Sequence, residues 1–232
     1  MELLAHLHLF TVLDAVAVAF AVLGAISIGW LIDHSNTRWP SVSMLMMTYR
    51  REWMHEFIKR DPRIYDATVL DGLRSGITFY ASGCMIAIGG GLALVGNTEP
   101  LQGLANELTL EAASAVKLKV KILFVLGFAI NAFLKFVWSH RLFGYCSIMM
   151  AAVPNDPAHP ECEPRAQQAA EINITAARNY NRGLRSVYFA LGALGWLLGA
   201  VPLIFTTAVT VALLLRREFA SQSRAVMLKR GL

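Results

Sequence analysis

In the run FAINAFLKFVWSHR, residues 128–141, an amide, an ammonium and a hydroxyl recur at every fourth position: Asn131, Lys135 and Ser139. That spacing sets them on one face of a helix. Their neighbours are almost all apolar, so the stretch has the composition of a membrane span. Such a stripe can do two things. It can line a polar pathway for a small ion or solute, or it can join helices by hydrogen bonds where lipid offers no partner. An ammonium at the centre of a span costs about 2.5–3.5 kcal/mol on insertion scales. Lys135 lies about one turn from the end of the run, and its stem can carry the charge outward. Asn131 has no such stem, and its amide is expected to meet a partner on another helix. Asp14 is the one acid well inside an apolar run, and Lys117 or Lys121 matches its depth better than Lys135 does.

The second polar concentration is RNYNRGLR, residues 178–185. Arg178, Asn181, Arg182 and Arg185 line one side of a helix, and His140 and Arg141 fall at a similar depth. Guanidinium groups bind carboxylate and phosphate oxygens in pairs, so these six residues are the candidate anion or lipid-headgroup site. The plainer reading is the excess of positive charge that flanks spans on their cytoplasmic side. No catalytic constellation accompanies them. The six histidines show no HExxH or HxxxH spacing, there is no GxSxG, and no two histidines face each other for haem. Cys84, Cys146 and Cys162 contain no CxxC, and His159 with Cys162 is too little for a metal. The expectation is a non-enzyme without metal or cofactor.

The elements that must position these residues follow from composition. The 232 residues are 56% hydrophobic and 16% charged, with mean hydropathy +0.49. Soluble domains carry about 25% charged residues. The fold expected is all-α: a polytopic membrane helix bundle of about four transmembrane helices in one membrane domain. The spans fall at about 10–32, 73–95, 117–140 and 187–215, each near the roughly 20 residues that cross a bilayer. Residues 41–60 form a basic amphipathic helix with Trp53 as an anchor, expected to lie flat at the headgroups, with docking on a partner helix as the alternative. Residues 141–186 hold a proline-rich cytoplasmic link and a long cytoplasmic helix leading into the last span. MELLAHLHLF lacks the basic start of a cleaved leader, so the first span is expected to be retained. The net charge of +5 is read as orientation signal and contact with anionic headgroups rather than as a nucleic-acid surface.

Arginine and lysine crowd residues 33–73 and 141–185 and are absent from 1–9 and 96–116. This orients the N-terminus outward. Four full crossings then leave the basic tail, with Arg216, Arg217, Arg224, Lys229 and Arg230, on the outer side, which conflicts with its charge. Either residues 187–215 form one span kinked at Pro202, the expected form, or they form a re-entrant hairpin that turns near Gly199 and Pro202 and brings the tail back. Gly195 and Gly199 make a GxxxG, a helix-packing pattern.

Three segments, RREWMHEFIKRDPRIYDATVLDGLRSGITFYASGCMIAIGG, AFLKFVWSHRLFGYCSIMMAAVP and AARNYNRGLRSVYFALGALGWLLGAVPLI, resemble the DUF599 family of multi-pass membrane proteins from bacteria and plants. FLKFVWSHRLFGY is the most specific piece. The resemblance covers nearly the whole chain and implies about four spans but no established activity or functional residues. The functional expectation is a homo-oligomeric channel or transporter for a small ion or solute in a membrane, a bacterial inner membrane being the expected home. Its pathway would be lined by Asn131, Lys135, Ser139 and Asp14. The alternative is a non-catalytic scaffold bound to a membrane-protein partner in a larger complex.

Overall fold

Thr11 and Asp14 open the first helix. In the computed structural model, which describes residues 10–97 and 115–229, Thr11 donates its backbone N–H to Asp14 Oδ2 at 3.0 Å. Asp14 returns its own N–H to Thr11 Oγ1 at 3.2 Å. Two orphan donors of the first turn are thus met reciprocally, as in a capping box. The apolar run that follows is α1, Val12–Asp33. Pro40 and Ser41 then start α2, Val42–Ile58, with the Ser41 side chain accepting the Met44 N–H. Three long helices come next: α3, Ile64–Gly96, α4, Ala115–Ala151, and α5, Cys162–Ala193. A 3₁₀ segment, Leu194–Leu198, leads through Gly199 to α6, Ala200–Phe219, and a short α7, Gln222–Leu228. The connection expected at 96–116 lies mostly outside the described residues.

Among the described residues, four segments are long and apolar enough to cross a membrane: Val12–Asp33, Ile64–Gly96, Ala115–Ala151 and Ala200–Leu228. Two of the helices outrun the expected spans. α3 begins nine residues before 73, and α4 continues eleven past 140. In α4 the cause is a continued apolar face, because Leu142, Phe143, Cys146 and Met150 are all buried beyond His140.

The chain divides into two compact units. One holds Met1–Leu31, Cys84–Ala132 and Leu184–Arg216. Its core packs Ala17 and Ala21 against Trp196 and Leu203, with Phe124 edge-on to Trp196 at 5.3 Å. Residues 187–215 do not form the single kinked span expected. Helix α5 stops at Ala193, and Gly199 has φ 132°, a conformation that suits only glycine. Helix α6 then folds back so that Thr206 Oγ1 donates to the Gly192 carbonyl at 2.7 Å. Pro202 sits in the first turn of α6, where proline is tolerated, and so kinks nothing. The result is a helical hairpin. Gly195 and Gly199 accordingly do not form a GxxxG seam along one helix. Gly195 admits close contact with Thr206 and Pro202, while Gly199 makes the turn.

The other unit holds Ile32–Gly83, Phe133–Gly183 and Arg217–Leu232. Here α2 runs antiparallel along α5, tied by Asn181 to Ser43, Arg50 to Asn173, Arg51 to Glu171 and His55 to Glu163. Residues 42–58 are therefore docked on a partner helix within the fold. Trp53, the expected headgroup anchor, gives its indole N–H to Asp66 at 2.6 Å. Asp66 is wholly buried and also ion-paired with Arg60. The end of α6 and the chain after it meet the start of α2. Glu218 accepts from Ser43, and Arg224 donates to the Pro40 carbonyl at 2.8 Å.

Candidate anion-binding cavity

Within this second unit, α2, α3 and α5 each turn a short helical face toward one cavity of about 430 Å3. Helix α2 supplies Ser43, Met46, Met47 and Arg50, spaced three and four apart. Helix α5 supplies Ile174, Ala177, Arg178 and Asn181 on the same rule. Helix α3 brings Gly72, Leu73, Gly76 and Ile77, whose two glycines stand one turn apart. Ile32 and Asp33 from the end of α1, Phe143 from α4 and Glu218 from the end of α6 also line it, with Val42 and Met44 of α2 and Tyr180 of α5.

The charged groups around the cavity are not equally engaged. Asp33 is paired with Arg182, Nε to Oδ2, at 2.8 Å, its side chain only 10% exposed. Glu218 holds the Ser43 N–H at 2.9 Å and its hydroxyl at 3.0 Å. That carboxylate sits on the first turn of α2, where the helix dipole favours negative charge. Arg50 donates to the Oδ1 of buried Asn173, whose amide in turn reaches the Cys146 sulfur at 3.5 Å. Burial pushes the Arg50 pKa down from its ordinary value, though a guanidinium remains protonated in proteins. Arg178 differs from all of these. Its one hydrogen bond among the described residues runs to the Met47 thioether, Nη2 to Sδ, at 3.9 Å, and a thioether is a weak acceptor.

Of the six residues expected to bind an anion, the fold brings Arg178 and Asn181 to the cavity and Arg182 to its edge through Asp33. Arg185 is buried in the other unit. His140 and Arg141 are not in the lining. Arg141 instead lies over the rings of Trp138 and Tyr145, centroids 5.9 and 5.5 Å away, on an exposed face of α4.

Of the four expected pathway residues, Asp14 and Asn131 lie in one unit and Lys135 and Ser139 in the other. Asn131 donates its amide to Ser186 Oγ at 3.0 Å, and Ser186 donates onward to the Phe128 carbonyl at 2.7 Å. Asn131 thus has a partner on another helix, while the residue itself stays exposed. Ser139, wholly buried, donates to the Ala176 carbonyl at 2.7 Å. Lys135 makes no ion pair among the described residues. Asp14 caps α1 and accepts the Trp196 indole N–H at 2.7 Å, and Lys121 lies 6.0 Å from the centre of that indole ring. The lysine expected at its depth is present, with a tryptophan ring beside both groups.

Residues 16–223 match the family described as a protein of unknown function, DUF599. The chain belongs to that family. No curated protein and no solved structure matches it. With four helices of membrane-crossing length and apolarity, this DUF599 protein is an integral membrane protein. Sequence reasoning missed Arg50, Ser43, Glu218 and the Gly72–Gly76 pair. The signal for the first two was present: Ser43, Met47 and Arg50 share a helical face with the apolar stripe of α2. The helix reads from sequence as amphipathic and bound for the headgroups, and on that reading Ser43 and Arg50 carry no sign of a cavity.

Proposed function

We propose that this protein is a carrier for a small anionic solute, held by Arg178 with Arg50 in the cavity between α2, α3 and α5. The supporting observation is Arg178, a cation lining a cavity whose one hydrogen bond among the described residues goes to a sulfur atom. A guanidinium offers five N–H donors, and one left without a carboxylate is arranged for an anion from outside. The charge balance supports the same reading. Arg182 and Asp33 offset each other. Arg50 and Arg178 then stand against Glu218 alone, an excess of one positive charge. The cavity is completed by one chain, so binding asks for no second copy.

The hairpin bears on orientation. Glu218 and Arg224 bond to residues at the start of α2, so the basic tail shares a side with the basic segment 33–63. On this reading the conflict between charge and crossing number is removed, and the positive-inside rule assigns the cavity-bearing unit to the cytoplasmic side. Purified protein in liposomes should take up anions and not cations, and Arg178→Gln should cut uptake by tenfold or more, the worth of charge-assisted hydrogen bonds. Flux of cations alone, or anion flux unchanged by Arg178→Gln, refutes the reading.

A further inference from the structure

We infer that the anion this cavity takes is an amphiphile, with one carboxylate or similar monoanionic head on an apolar body about the length of a short acyl chain. The inference rests on the anion reading above and adds the chemistry of the walls. The polar groups lie along the seam of α2 and α5, where Asn181 donates to Ser43 Oγ, Ser43 donates to Glu218, and Arg178 lies one turn away beside Met47. The α3 wall carries no charge. Gly72 and Gly76 form a ledge there, with no heavy atom within 4 Å of where a Cβ would stand on either. Leu73 and Ile77 flank the ledge.

A bare inorganic ion would satisfy the arginine and leave this apolar wall facing water. An aliphatic body on the ledge removes that surface from water, while the thioethers of Met46 and Met47 adapt to its shape. At about 430 Å3 the cavity falls in the range of organic-ligand pockets, roughly 300–1,000 Å3. Glu218 sets the head charge. It stands at the polar end, so a second negative charge on the ligand meets repulsion, and the excess of one positive charge is met by a monoanion.

The ligand can come from water as a free carboxylate or from the bilayer as the head of an anionic lipid. The test is calorimetric titration of the full-length protein in nonionic detergent with acetate, butanoate, hexanoate, octanoate, hexanamide and inorganic phosphate. Affinity is expected to rise about fourfold per methylene until the ledge is covered. Hexanamide should bind at least tenfold more weakly than hexanoate, and Arg178→Gln should remove that difference. Because Arg178 has no acid partner among the described residues, this variant is expected to fold normally, with the thermal midpoint as the check. Phosphate binding tighter than hexanoate, with no dependence on chain length, overturns the amphiphile and leaves the anion reading standing. No binding by any of the anions overturns both. Repeating the hexanoate titration in nanodiscs assigns the source. Binding lost when phosphatidylglycerol is added to a zwitterionic bilayer means a lipid head occupies the site, and binding retained means the carboxylate arrives from water.

Discussion

Replacing Gly76 by leucine separates the cavity from the stability of the helix that lines it. Glycine inside a helix costs about 1 kcal/mol relative to alanine, and leucine is nearly as good a helix former as alanine. The new Cβ meets no atom within 4 Å, so no overpacking opposes the gain. If the leucine also buries itself on the apolar wall, a further part of the roughly 1.5–3 kcal/mol for a buried leucine is added. The variant should therefore be more stable by about 1–3 kcal/mol, read as a higher thermal midpoint in detergent. The same side chain occupies the space proposed for the apolar body of the ligand. A six-carbon carboxylate gains about 0.8 kcal/mol for each methylene it buries. Losing half of that contact, about 2 kcal/mol, weakens binding about thirtyfold. Gly83→Leu on the same helix is the control. Its Cβ also enters open space, but the residue is outside the lining, so it should leave binding unchanged. The assay is a pair of hexanoate titrations beside two thermal melts. A Gly76→Leu protein that is more stable and binds as before would show that the ligand does not lie on the ledge. A less stable one would show that the ledge is not open.

Gly195→Ala should destabilise the hairpin by about 1–3 kcal/mol. Its Cβ would stand 2.6 Å from Thr206 Oγ1 and 3.0 Å from the Pro202 carbonyl oxygen, which lowers the thermal midpoint. Asp66→Ala strips a wholly buried carboxylate from Arg60 and from the Trp53 indole. The expected loss is about 2–3 kcal/mol, with Trp53 fluorescence shifting on the same transition. Ser221→Cys and Asn36→Cys should label with an impermeant maleimide from the same face of sealed vesicles, and Asn97→Cys from the opposite face. The native Cys84, Cys146 and Cys162 are buried and give little background. Labelling of Ser221→Cys from the face that labels Asn97→Cys would refute the returning hairpin.

The four apolar helices were legible because bilayer crossing is written in a run of about 20 residues, a local property. The hairpin was written locally too. Glycine just past one helix and proline just inside the next is the ordinary grammar of a break, and LLGAVP carries both, yet Pro202 read as a kink in the middle of a longer run. The cavity was half legible. Arg178 and Asn181 share a face of α5 and could be paired from spacing alone. Arg50 and Glu218 lie 128 and 40 residues from Arg178, and only the docking of α2 on α5 and the return of the tail bring them to it.

The polar stripe that first drew attention to α4 resolves by the same distinction. A polar group inside an apolar helix can serve the helices or serve a ligand, and the sequence shows the group without its partner. Asn131 and Ser139 have hydrogen-bond acceptors on α5 at 3.0 and 2.7 Å, and their place is explained by the need of α4 and α5 to pack where lipid offers no partner. Arg178 has only a thioether at 3.9 Å. Arg178 is half-buried and lines the cavity, so its remaining donors are left to whatever enters there, water or an anion. A group whose hydrogen-bonding demand the chain leaves unmet is where a ligand does the most to stabilise the protein. That is why the reading of function rests on Arg178 and not on the stripe.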